Sequence, residues 1–215
     1  HNIKIFCFKK KINMIFLVGD IGNTLVKFSF LDRNFKIIKT FRLETRKILE
    51  KFDERKILDK ILKENINKKV LFSSVVPKAF IILKKLLNKK KFKAIEIKNL
   101  KIQKILKIKI KNYNQLGSDR ICNALGSLNH KRCIIIDFGT ATTFDIINNK
   151  SYLGGVISPG VDLSIVNLNK STALLPLINL KKKQSTYGKN TKEALNAGFL
   201  WGYEGLINNI IKKIS

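Results

Sequence analysis

The sequence predicts an α/β protein built from a duplicated domain, on two observations. The first is the order of periodic segments, β-β-β-α-β-α-β over roughly the first half. The second is a pair of Asp-x-Gly turns, at Asp20 and Asp137, 117 residues apart, each after an apolar strand and before a second strand.

The elements follow in order. An apolar run Ile15–Val18 ends at Gly19-Asp20-Ile21-Gly22-Asn23-Thr24, and alternation at Val26, Phe28 and Phe30 gives a second strand that breaks at Asp32-Arg33-Asn34. A third strand is expected at Phe35–Leu43. Apolar spacings of three and four from Ile48 to Leu62 predict a helix over Arg46–Glu64. Val70–Val76 reads as a buried strand, Pro77 opens a helix to about Leu87, and Ala94–Ile97 closes the set. Ile102–Ile110 has strand-like alternation, Asn112–Leu116 is a polar loop, and Ser118 can cap a helix from Asp119 to about Leu128. The pattern then restarts: Cys133–Ile136, the turn Asp137-Phe138-Gly139-Thr140-Ala141-Thr142-Thr143, a strand Phe144–Ile147 and a third strand near Tyr152–Ile157. Helical signals occupy Val161–Asn169 and Thr191–Lys213, and no strands follow to match Val70–Val76 and Ala94–Ile97.

Composition excludes several classes. The chain has 215 residues, 45% of them hydrophobic, and a net charge of +28. That hydrophobic content does not suit a disordered chain, and no apolar run reaches the ~20 residues of a membrane span. The charge comes from 37 Lys and only 6 Arg, whereas base and phosphate readers favour the guanidinium fork. Lys, Ile and Asn together make 90 residues, the signature of A/T-rich codons, so compositional drift competes with any nucleic-acid reading. Cys7, Cys122 and Cys133 form no C-x-x-C pair and, with only His1 and His130, supply no zinc set, which fits a reduced cytosol; Cys122 and Cys133 read as small buried residues. Met14 is the expected natural start, leaving residues 1–13 as an extension without signal-peptide character.

A carboxylate at a strand end beside a Gly-containing hairpin suits polyphosphate chemistry. The glycine admits a close phosphate, backbone N–H and Thr or Asn groups donate, and the Asp holds Mg²⁺ directly or through water. An ordinary hairpin would use the same residues; two copies in equivalent places favour the phosphate reading. There is no P-loop string, and neither turn opens into a helix as a Rossmann turn does. Gly117-Ser118-Asp119-Arg120 offers an acid and a base at a helix start, able to accept a hydroxyl proton and clamp an anion, or simply to cap the helix. Gly154-Gly155 with Pro159-Gly160 could line a ligand or turn the chain. Tyr113 and Thr191 carry no local signal.

Taken together, Asp20-Ile21-Gly22-Asn23-Thr24, Gly117-Ser118-Asp119-Arg120, Asp137-Phe138-Gly139-Thr140-Ala141-Thr142-Thr143, Gly154-Gly155 with Pro159-Gly160, and Asn190-Thr191 with Ala194 and Gly198 resemble the type III pantothenate kinases. The resemblance implies two ribonuclease-H-like domains in tandem, the fold of the acetate and sugar kinase, Hsc70 and actin superfamily. Their expected bounds are 14–112 and 113–215, the second incomplete at its C-terminus. It implies ATP-dependent phosphorylation of pantothenate to 4′-phosphopantothenate, the first step toward coenzyme A. Asp20, Ile21, Gly22, Asn23, Thr24, Leu25, Val26 and Lys27 would form the ATP-phosphate loop, with Thr140 also on ATP and Mg²⁺ accompanying the nucleotide. Asp137 would hold a monovalent cation, K⁺ or NH₄⁺, and Asp119 would be the proton acceptor. Tyr113, Gly117, Ser118, Asp119, Arg120 and Thr191 would hold pantothenate. The resemblance also implies a homodimer; a cytoplasmic location follows from the cysteine usage, and the composition points to neither a membrane nor specific nucleic acid. Ser118 replaces the family's usual Ala. The alternatives are a non-catalytic, regulatory homologue like the Bvg accessory factor, another superfamily kinase or ATPase, and a basic nucleic-acid module.

Overall fold

A computed structural model describes residues 14–50, 61–62, 66–181, 183 and 185–215. The extension expected at 1–13 and most of the helix expected over Arg46–Glu64 lie outside these residues. The chain divides into two compact units, one running up to Leu100 and including Gly117–Asp119, the other made of Lys101–Leu116 and Arg120–Ser215.

The first unit is a five-stranded mixed sheet. β1 (Ile15–Ile21), β2 (Leu25–Leu31) and β3 (Ile37–Glu44) form an antiparallel meander, and β4 (Ile66–Ser74) and β5 (Lys93–Glu96) run parallel to β1, in the order β3-β2-β1-β4-β5. This is the ribonuclease-H-like order, and the parallel pair demands a crossover, which α2 (Pro77–Lys89) supplies between β4 and β5. Pro77 lacks the N–H that a first-turn residue would leave orphaned, so it starts that helix at no cost. The alternation read in β2 is real: Val26, Phe28 and Phe30 face the core, where Phe28 meets Phe72 of β4 edge to face at 5.9 Å. Leu83 and Leu87 of α2 join the same cluster. The short α1 (Thr45–Leu49) begins where the long helix was expected.

The second unit repeats the meander. β7 (Arg132–Phe138), β8 (Ala141–Asn148) and β9 (Ser151–Pro159) are antiparallel, and β6 (Lys107–Ile108) adds parallel to β9, in the order β6-β9-β8-β7. The helices are α3 (Ser118–Gly126), which starts in the first unit, α4 (Val161–Lys170) and α5 (Thr191–Ile214).

Three expectations need correction. Ile102–Ile110 is not a strand: 3₁₀ turns at Ile97–Asn99 and Ile102–Lys104 precede the two-residue β6. The carbonyl of Ile102 accepts from the amides of Ile105 and Leu106, which buries Ile102 and Leu106 and turns Ile105 outward. The buried pair Ile102 and Leu106 is spaced by four, as a helical turn requires, although the same positions fit a period of two. Gly154-Gly155 does not turn the chain but lies within β9, inside the strand expected near Tyr152–Ile157, paired with Ile146 and Asp145 of β8; a register shift and a φ of 143° at Gly154 absorb the irregularity. Finally, Cys122 and Cys133 are half-buried thiols outside any disulfide rather than core residues.

Candidate active site

Both Asp-x-Gly turns occupy the same structural position. Asp20 is the penultimate residue of β1 and Asp137 the penultimate residue of β7, so each carboxylate belongs to a strand end rather than to the connection beyond it. A hairpin fixes both. In the first unit Gly22 N–H donates to Leu25 C=O at 2.9 Å, Thr45 Oγ1 donates to Gly22 C=O at 2.6 Å, and Thr45 N–H donates to Thr24 C=O at 2.9 Å. The tip at Asn23 and Thr24 is exposed, whereas Ile21 and Val26 are fully buried, so only their backbone could meet a ligand. Lys27 stands opposite Asp20 in the ladder and its ammonium lies 3.5 Å from the carboxylate, both half exposed, a pair worth little energy by itself.

In the second unit Gly139 N–H donates to Ala141 C=O at 3.0 Å, and exposed Thr140 offers its carbonyl to Gly160 N–H at 3.1 Å. Asn123 of α3 donates to Asp137 at 3.3 Å, leaving a hard, solvent-facing carboxylate of the type alkali and alkaline-earth cations prefer. Among the described residues, the hydroxyls of Thr142 and Thr143 are buried without a hydrogen-bond partner.

Gly117-Ser118-Asp119-Arg120 is more than a helix cap. Ser118 is already inside α3, and its hydroxyl donates to the carboxylate of Glu96 at the end of β5, whose other oxygen accepts from Lys98 N–H at 2.7 Å. The capping expected of Ser118 is thus replaced by a tether from the helix start to the sheet. Gly117 leaves room for Asp119: a Cβ there would lie 2.3 Å from the carboxylate oxygen as placed, so a larger residue would displace that side chain. Arg120 donates through Nε to Asp145 of β8 at 2.6 Å, and Tyr152 of β9 donates its hydroxyl to the same oxygen at 2.8 Å. Burial, reinforced by the Asp145 carboxylate, pushes the Tyr152 phenol well above its ordinary value.

Asn190 caps α5 by accepting from Glu193 N–H at 3.0 Å, while Glu193 accepts from the N–H of Lys189, the residue before the cap, at 2.9 Å. Thr191 follows at the first helical position and lines an almost wholly apolar groove of about 530 Å³ with Pro159, Leu168, Leu195, Phe199 and Tyr203. Tyr113 forms part of a 3₁₀ turn started by the Asn112 side chain, which accepts from Asn114 N–H.

Asp145, Tyr152 and Glu96 were not singled out in the sequence. The available signal was an acid in the middle of the apolar strand Phe144–Ile147, where an ionisable group needs a buried partner.

Two sheets with a repeated β-meander, each meander carrying an Asp at the end of its first strand, are the arrangement of the two-domain actin-like fold. Within it, the sequence profile of the type III pantothenate kinases matches residues 16–213. A type III pantothenate kinase of Pelagibacter ubique is 46% identical over 200 residues, covering 92% of this chain and 80% of that one. Another, of Dictyoglomus turgidum, is 35% identical over 208 residues, with the same two coverages. A solved structure described as a Baf family transcriptional activator from Campylobacter jejuni matches with a TM-score of 0.58 and 26% identity, over 90% of this chain and 78% of that one. The chain belongs to the type III pantothenate kinase family.

Proposed function

We propose that this chain transfers the γ-phosphoryl group of ATP to the 4′-hydroxyl of pantothenate, giving 4′-phosphopantothenate and ADP. The observation that carries the reading is the joint presence of family membership and intact acids at Asp20, Asp119 and Asp137. In this reading Asp20–Lys27 and Thr140 meet the nucleotide phosphates, largely through backbone amides and small hydroxyls. Tyr113, Gly117, Ser118, Arg120 and Thr191 hold pantothenate, with Arg120 facing an anionic group as a planar fork.

Asp119 accepts the proton of the attacking hydroxyl. The hydroxyl oxygen bonds to the γ-phosphorus as its bond to the bridging oxygen breaks, and ADP leaves with that electron pair. The transition state is loose, so positioning and charge stabilisation outweigh the base. The donor chemistry suits the implied cations: Asp20 and Asp137 are hard carboxylates at strand ends, and Mg²⁺ needs only one or two such ligands besides phosphates and water. Asp137 would hold a monovalent cation, K⁺ or NH₄⁺, and bound cations would supply neutralisation of the transferring phosphoryl group. The domain bounds 14–112 and 113–215, a homodimeric state and a cytoplasmic location are part of the same proposal. Among the described residues, no helix is long and apolar enough to cross a membrane.

The test is coupled ADP release with ATP, Mg²⁺ and K⁺. Release that requires pantothenate supports the kinase; pantothenate-independent release points to another ATPase activity. No release from folded protein would favour the regulatory alternative.

A further inference from the structure

Asp145 is the only charged residue among those described whose side chain is fully buried. It sits on β8, which lies between β7 and β9. Its Oδ1 accepts from Arg120 Nε at 2.6 Å and from the Tyr152 hydroxyl at 2.8 Å; Arg120 itself is 13% exposed and Tyr152 is 1% exposed. The guanidinium carbon lies 5.8 Å from the centre of the Tyr152 ring. On the other neighbouring position, Gly155 stands opposite Asp145 in the ladder, and a Cβ there would come within 2.3 Å of Arg120 Nη2. A carboxylate, a phenol and a missing side chain, contributed by two strands, thus fix the place of one guanidinium.

Stability does not explain this arrangement, since well-packed apolar residues commonly serve as well as a buried ion pair, or better. Pre-organisation does. An arginine whose Nε is held by a fixed acceptor presents its remaining edge in one orientation and loses less side-chain freedom when an anion arrives.

We propose that Asp145, itself held by Tyr152, is a positioning residue for Arg120, fixing the guanidinium that receives the carboxylate of the acceptor substrate. The proposal rests on the kinase reading above. It assigns Asp145 no contact with ATP or with the reacting atoms.

The test is steady-state kinetics of the full chain with pantothenate and ATP varied separately. Tyr152→Phe removes one hydrogen bond to the carboxylate and should raise the pantothenate KM about tenfold, while leaving the ATP KM unchanged. Asp145→Asn removes the charge and should raise it roughly a hundredfold. A merely structural role would lower the folded fraction and move neither KM. Should Asp145→Asn not fold, Tyr152→Phe still decides the matter. Arg120→Lys lacks Nε, so adding Tyr152→Phe to it should bring no further rise in the pantothenate KM. An unchanged pantothenate KM in Tyr152→Phe, or the same rise on the Arg120→Lys background, overturns the inference while the kinase reading stands. Absence of pantothenate-dependent turnover in the unaltered chain overturns both.

Discussion

Asp119 is the second residue of α3, and its carboxylate occupies space that a side chain at position 117 would need. If it is the proton acceptor, Asp119→Asn keeps the shape and removes the basicity. Turnover should then fall ~10²–10⁴-fold with ATP binding retained, as kcat and ATP affinity would report. Near-normal turnover would remove Asp119 from that role. Tyr152 gives a pH prediction. Its folded pKa is raised above the ordinary 10.0, so below that value both folded and unfolded states keep the proton and the contribution to stability is fully present. As pH rises past the ordinary value, the unfolded chain releases the proton while the folded chain holds it, and stability is lost. Urea midpoints compared between about pH 9 and about pH 11 should therefore fall more for the unaltered chain than for Tyr152→Phe. Residue by residue, the strand-end acids were legible because Asp, Gly and Thr crowd within a few positions. Asp145 was not, because its partner Arg120 lies 25 residues away and strand alternation alone does not say which face is buried.

Elements bounded by strong local chemistry were the legible ones. Pro77 opens α2 as expected and α5 begins at Thr191 as expected, behind an Asn190 cap, because both signals act on the first helical turn without tertiary help. Asn190→Ala should cost about 1 kcal/mol, measurable as a lowered urea midpoint at unchanged m-value. Elements decided by distant partners are not legible from local pattern. Ile102–Ile110 and Gly154-Gly155 depend on where β9 runs: the amide of Lys109 donates to Tyr152 C=O, and Gly155 pairs with Asp145. Ser118 was likewise drawn from capping to a tether on Glu96, a residue 22 positions away.

At the scale of the whole molecule, the duplication read from two turns appears as two meanders with an Asp at the same strand position in each. The net charge is +28. The proposed chemistry rests on three acids, and a lysine-rich surface by itself supplies a nonspecific, salt-sensitive attraction to anions. Replacing K⁺ by Na⁺ should lower turnover in the unaltered chain, and Asp137→Asn should abolish that difference if Asp137 holds the monovalent ion; the ratio of rates in the two salts checks it. The most direct measurement is mass analysis of pantothenate after incubation with the full chain, ATP, Mg²⁺ and K⁺. The account predicts conversion to a species heavier by one phosphoryl group, matched by ADP and abolished when ATP is omitted. Unmodified pantothenate recovered from correctly folded protein would contradict it.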